Sequence, residues 1–345
     1  MSIIDGGFWH SHFIKSNGSL WGIGNNGNGR LGDGTSTSQY SPVLVVDSNV
    51  TKVSDGNEFN LFIKNDNSLW GMGRNNKNQL SSSSTSQFTS PTRIIDSNIS
   101  DASSGGEHSA FVKTDGSLWT MGRNNNGQLG DGTNEDRSDP VKIIDANVTY
   151  LATYYHTMFI KNNGSLWGMG SNGNGRLGDG TGTSRNVPVE IVSSGVNKVS
   201  VREHTLFGKT NGSLWGMGRN DNGQLGINST TATISQPTQI VTSEVSSLAA
   251  EYYHSAFVKT DGSVWTMGSN LAGQLGTGDY LPSPVPVKVI NSGASQVSCG
   301  QFHTLVKMSD GSLKVFGSDR HGAIGQNRPL FRSTPYQINH KLLAP

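Results

Sequence analysis

The chain repeats one stretch seven times. SLWGIGNNGNGRLGDGT, SLWTMGRNNNGQLGDGT and SLWGMGSNGNGRLGDGT are versions of it, and the seven copies are anchored at Trp21, Trp70, Trp119, Trp167, Trp215, Trp265 and Lys314. The spacings between anchors are 49, 49, 48, 48, 50 and 49 residues. A period of this length marks an array of like units, each unable to bury its apolar surface without its neighbours. Residues 1–345 therefore read as a single domain of seven repeats.

One copy, VTYLATYYHTMFIKNNGSLWGMGSNGNGRLGDGTGTSRNVPVEIV, holds four short apolar runs parted by turn residues, each of strand length. The second and third runs are joined by NNG, elsewhere SNG, TDG or TNG, which predicts a tight hairpin. The fourth run starts near a proline after a long loop and suits an edge strand. In SLWGMG, Trp and Met fall on one side, and Leu with a small Gly or Thr on the other. Both faces are apolar, as a sheet packed between two others requires, and the small residue is expected to make room for a neighbour's Trp. The predicted architecture is all-β: a seven-bladed β-propeller of four-stranded antiparallel blades in a closed ring. The chain begins 20 residues before Trp21 and ends 31 after Lys314, about one repeat together, so its ends are expected to meet at one seam.

Composition agrees. With 45 glycines and 15% charged residues, the chain suits many short strands and turns better than helices. A formal net charge of +1 argues against a general nucleic-acid or membrane-surface binder. The lone Cys299 excludes an internal disulfide framework and any multi-cysteine metal site. MSIIDGGFWHSHF lacks the basic start and apolar core of an export signal, and no run approaches about 18 apolar residues, so the expectation is a soluble, monomeric, by default cytoplasmic protein.

The pattern G-x-x-H-[ST], then DG-[ST]-L, then W-x-x-G-x-N-x-x-G-Q-L-G and a proline-led strand resembles the RCC1 repeat (regulator of chromosome condensation) along the whole chain. The second copy departs from it with Phe59 for His and SSSS for GDGT, and the seventh lacks the Trp. The resemblance implies a binding propeller. For the founding member it implies guanine-nucleotide exchange on a small Ran-like GTPase, but the wedge insertion that carries exchange there has no counterpart in spacings of 48 to 50 residues.

Most recurring polar residues have a structural reading. No Lys-Ser/Thr follows the glycines of GxxxxGQLGDGT and no helix opens after them, so they are turn residues rather than a phosphate cradle. Asp33, Asp131 and Asp179 miss the EF-hand spacing and read as turn formers. His10, His108, His156, His204, His254 and His303 share one place, eleven residues before each anchor. They are spread round the ring instead of converging on a metal, and are expected to tie down the turn. His12, His321 and His340 add no ligand spacing. Lys15, Lys64, Lys113, Lys161, Lys209 and Lys259, six residues before the anchors, read as solvated strand ends. No nucleophile elbow, H-E-x-x-H or acid–base pair is present, and the expectation is no enzyme activity, no cofactor and no metal.

Just before the repeated His, the repeat stops repeating. The pairs there are Phe8 and Trp9, Asn57 and Glu58, Gly106 and Glu107, Tyr154 and Tyr155, Arg202 and Glu203, Tyr252 and Tyr253, and Gln301 and Phe302. Strand alternation puts them on one face, together with Arg74, Arg123 and Arg219 at the ends of third strands. Exposed loop aromatics among charges are the residues that anchor interfaces. The expected function is a non-enzymatic scaffold binding a protein or peptide partner through this face, with a glycan as the alternative ligand. In a bacterial β-lactamase inhibitor of similar fold, the aromatic just before the His contributes to the inhibitory surface. The resemblance thus singles out Trp9, Tyr155, Tyr253 and Phe302, with Glu58, Glu107 and Glu203 as polar substitutes.

Overall fold

In a computed structural model, which describes residues 3–81, 85–325 and 331–338, the seven repeats form seven separate four-stranded antiparallel sheets. His340 lies outside the described residues. The fourth blade shows the pattern: Val148–Thr153, His156–Lys161, Leu166–Gly170 and Arg185–Val192, hydrogen-bonded in chain order. First strands line a central cavity, and the proline-bearing fourth strands form the outer edges. Arg320–Gly322 is the one helical turn among the described residues, and no helix there is long and apolar enough to cross a membrane.

The core is divided. Seven apolar clusters lie one at each blade-to-blade joint; that between the fourth and fifth blades gathers Met158, Ile160, Leu166, Leu177, Val196, Val199, Phe207 and Met217. Each blade comes from one continuous stretch, the first from 3–46 and the seventh from 294–337. The ring-closing seam therefore joins blade seven to blade one through side chains rather than a shared sheet. Ile4 and Ile338 share the apolar cluster there, and Ser298 Oγ accepts from Gly6 N at 3.0 Å.

The small residue of the third strand has a different partner from the one expected. A Cβ on Gly168 would lie 2.7 Å from Met158 Sδ and 3.2 Å from Leu177, both in its own blade. Where the second strand carries Ala110 or Ala256 instead, its paired neighbour is Thr120 or Thr266, so the two positions exchange volume. Trp70, Trp167, Trp215 and Trp265 stack on a Phe of their own blade; Phe159 and Trp167 lie 6.4 Å apart at 13°.

The six repeated lysines are not plain solvated ends. Each ammonium sits over the Trp ring of its own blade, with Nζ 4.1 Å from the centroid for Lys15, Lys113 and Lys161, 4.3 Å for Lys64, 4.6 Å for Lys209 and 5.4 Å for Lys259. Replacing Lys113 by Met, which keeps the stem and removes the charge, should lower stability by about 0.5–1 kcal/mol in urea unfolding. An unmoved urea midpoint would return these lysines to a merely solvated role.

Gly130 shows what the glycines of the repeat do. Its φ is +76°, and an added Cβ would lie 2.2 Å from Met169 Sδ of the next blade. Asp131 beside it accepts from Thr133 N at 3.0 Å, Thr133 Oγ1 at 2.7 Å, Asn124 Nδ2 at 3.0 Å and Arg137 Nε at 2.6 Å, the pattern of a turn-forming aspartate.

The repeated histidines join blades rather than tie down their own turns. Nε2 of His108 meets Thr157 Oγ1 of the next blade at 2.8 Å; His156 meets Thr205 at 2.8 Å, His204 Ser255 at 2.6 Å, His254 Thr304 at 2.9 Å and His303 Ser11 at 3.0 Å across the seam. Each hydroxyl donates its proton to a carbonyl of the preceding blade, as Thr157 does to Gln128 O at 2.9 Å. The hydroxyl is thereby left as acceptor, which places the imidazole proton on Nε2. Burial keeps these rings neutral: His108, His204 and His254 are depressed to about 3 and His303 to about 4.

Candidate interaction face

The loops between first and second strands set the face. In most blades the loop opens at a residue whose N–H returns to the His-position carbonyl three residues on, as Gly7 does to His10 and Gly105 to His108. In blades four and five the loop is one residue shorter, and the corresponding bonds are Tyr154 N to His156 O and Arg202 N to His204 O. These are the two repeats with 48-residue spacing. The missing residue moves Tyr154 and Arg202 to the place held by Gly7, Gly56, Gly105, Glu251 and Gly300, at the inner edge of the ring.

This corrects three expectations. Tyr154, Arg202 and Glu203 are buried, at 1%, 7% and 7% exposure. They brace the face from behind instead of forming it. Arg202 Nε donates to Glu251 Oε2 at 2.8 Å, and its Nη2 crosses from blade five to Asp55 O of blade two at 3.1 Å. The guanidinium also lies 4.9 Å from the Tyr154 ring. Glu203 is held by Arg176 at 3.0 Å. Burial pushes Glu251 up to about 7 against the pull of Arg202. Asp5, beside Asp55, rises to about 7, first through burial and then through its carboxylate neighbour.

The remaining aromatics are partly exposed and form one continuous patch rather than an evenly spaced ring. Tyr252 is its hub. Phe8 meets Tyr252 edge-on at 5.7 Å, Trp9 packs on Phe8 at 4.7 Å, Tyr253 lies 5.5 Å from Tyr252, and Phe302 stacks on Tyr253 at 5.6 Å. The Tyr252 hydroxyl accepts from Tyr154 at 2.7 Å and pairs with Tyr155 at 3.2 Å. Blades one, four, six and seven are thus bridged over the mouth of the ring. Trp9 continues the patch outward to His321, 4.9 Å away.

The other sector is polar. Glu58 pairs with Arg74, and Glu107 with Arg123. Arg219 binds Asp221 at 2.7 Å and lies 5.6 Å from the Tyr253 ring. Sequence reasoning passed over Arg30 and Arg176, both nearly buried, which reach Glu58 and Glu203 from the preceding blades. Their signal was available: GRLGDGT replaces GQLG in the first and fourth copies. Behind the patch lies a central cavity of about 530 Å³, whose lining includes Arg202 and Glu251 but none of the patch aromatics. The arrangement offers a broad apolar surface with a charged flank. Among the described residues, one cluster, at the joint of blades one and two, combines groups able to ligate a metal.

Comparison with known proteins places this geometry. A model of the RCC1-like domain matches residues 98–342, and the regulator of chromosome condensation (RCC1) repeat matches 17–63 and 66–112. No curated protein matches the chain in sequence. Among solved structures, human WBSCR16 is 20% identical with a TM-score of 0.82, over 93% of this chain and 94% of that one. Prp20p from Saccharomyces cerevisiae is 17% identical with a TM-score of 0.85, over 95% of this chain and 87% of that one. Yeast RCC1 (Prp20) bound to Kap60 is likewise 17% identical, with a TM-score of 0.84 over 95% and 85%. Repeat pattern, ring of seven blades and family match agree: the chain belongs to the RCC1-like domain family.

Proposed function

We propose that this propeller is a non-enzymatic binding module that takes a protein or peptide partner on the patch formed by Phe8, Trp9, Tyr155, Tyr252, Tyr253 and Phe302. The continuity of the patch carries the reading. Rings from blades one, four, six and seven make one half-buried surface, held rigid by hydroxyl bonds and by the buried Arg202–Glu251 pair. Rigid aromatics bring large contact area at small entropic cost, the character of interface anchors. The Glu58–Arg74 and Glu107–Arg123 pairs flank it and set register and partner choice. Members of the fold are described with protein partners: Prp20p with Gsp1p and histones, and yeast RCC1 with Kap60.

The test starts with a partner captured from source cells on the wild-type face and identified. Tyr253→Ala and Trp9→Ala should each weaken its binding by about 2 kcal/mol or more while leaving the thermal midpoint nearly in place. Unchanged affinity with a fallen midpoint would make these rings lids over the blade tops and end the proposal. A nucleotide-release assay on a Ran-like GTPase separates exchange from simple binding. Glycan-array binding lost in Tyr252→Ala would replace a protein partner with a sugar.

A further inference from the structure

We propose that the joint between blades one and two is a site for a tetrahedral divalent metal, zinc, held by His10, His12, Asp55 and Asn60. It is buried in the joint rather than on the aromatic patch, and does not depend on the role of that patch. The case begins with departures from the repeat. Where this joint has His12, the other blades carry Leu61, Ala110, Met158, Leu206, Ala256 and Leu305. Where it has Asp55, they carry Gly6, Ser104, Thr153, Val201, Ala250 and Cys299, and where it has Asn60, only Ser or Thr. Three independent breaks in the pattern meet at one of seven joints. All three residues are buried, and they join His10, which every other joint but one matches with a repeated His.

The orientation of the donors is the second observation. His12 Nε2 is directed to Leu31 O at 3.4 Å, Asp55 Oδ2 accepts from His12 N at 2.9 Å, and Asn60 Nδ2 donates to Arg30 O at 2.5 Å. Three of the four residues thus have one polar atom fixed by a backbone group, the support that metal ligands have. The atoms left over face one another: His12 Nδ1, Asp55 Oδ1, Asn60 Oδ1 and His10 Nε2. Asp55 Oδ1 is 2.8 Å from His12 Nδ1 and 3.9 Å from His10 Nε2, and His10 Nε2 is 2.9 Å from Asn60 Oδ1. The donor atoms of His10, His12 and Asp55 all lie within 4.8 Å of one another. Bonds of about 2.0–2.1 Å to a tetrahedral ion place ligand atoms roughly 3.4 Å apart, between the shorter and longer of these separations. Binding would displace the Nδ1 proton of His12 to solvent, shift the Nε2 proton of His10 to its Nδ1, and substitute the ion for the His12–Asp55 and His10–Asn60 hydrogen bonds. Asn60 Oδ1 also receives Gly56 N at 3.2 Å, a contact that a second lone pair can keep. Two imidazoles and a carboxylate form a donor set suited to zinc, and the Asn60 amide oxygen stands at the fourth position that water fills in open zinc sites.

The experiment uses the whole chain, unfolded with a chelator, refolded metal-free and titrated with Zn²⁺. One equivalent should bind and raise the thermal midpoint, and Co²⁺ in its place should give the visible absorption of a tetrahedral centre. The double variant His12→Leu, Asp55→Ser restores residues used at other joints, and should fold but bind at least about 100-fold more weakly. If that pair fails to fold, Asn60→Ser, carrying the hydroxyl of the other joints, should fold and show the weakened binding. No uptake and an unmoved midpoint in the wild type would overturn the site. So would uptake equal in wild type and variants, which would place the ion on groups outside the joint such as the half-buried His321.

Discussion

Taken from pH 7 to pH 4, the protein should lose most of its stability. In the unfolded chain each histidine of the relay takes a proton as pH falls through about 6.5, whereas the folded rings refuse it until about 3 for His108, His204 and His254 and about 4 for His303. His156, buried near Arg176, is depressed in the same sense, first by burial. A depressed folded value means the stabilisation is complete above 6.5 and lost as pH drops toward 3. At pH 4 the loss is about 3 kcal/mol for each of the first three, comparable in sum with the roughly 5–15 kcal/mol that holds an ordinary domain. Glu251 and Asp5, held near 7, and Asp101, raised by burial, act the other way, since such carboxylates are relieved when they take a proton. They are three against five. Urea midpoints measured between pH 7 and pH 4 should fall steeply, and His254→Phe, the residue type blade two uses as Phe59, should flatten the dependence by about one proton. A flat profile would mean that these joints open to water well before the ring unfolds.

Arg202→Met should be among the most damaging single changes outside the blade cores, at about 3–5 kcal/mol near pH 8. It removes the partner of a carboxylate that is 1% exposed, together with the bond across the ring to Asp55 O. The penalty comes mainly from the charge left on Glu251, so it should shrink at pH 5, where that carboxyl takes a proton. Adding Glu251→Gln should recover much of the loss at pH 8. If the double variant is as weak as the single one, the guanidinium acts by bridging blades and not by neutralising the carboxylate.

The period of the chain was enough to predict blades, hairpins and edge strands, because turn chemistry and alternating apolar residues are local. What escaped was decided between blades. The loss of one residue before His156 and His204 was visible as 48-residue spacing, but that it would turn Tyr154 and Arg202 inward follows from where the shortened loop stands relative to the ring axis. Glu203 is buried because Arg176, in the preceding blade, meets it, and no spacing within one repeat carries that pairing. The lysines could have been placed from alternation alone. Lys161 is two residues beyond Phe159 and so shares a side with Trp167. For the patch, residue types were readable one by one, but their merging around Tyr252 was not, since it depends on side chains of blades one, four and six meeting across the ring.

The histidine relay runs one way round the ring, blades three to seven each offering an imidazole plug to a hydroxyl socket on the successor, the seventh to the first. A standard coupling makes blades interchangeable parts, so a copy of blade three carrying Gly105→Glu, which keeps the partner of Arg202, should seat in the position of blade six. The second joint, where Phe59 replaces the imidazole, is blank, and the first, cut with His12, Asp55 and Asn60, is keyed. It accepts one partner and so gives the wheel its index mark.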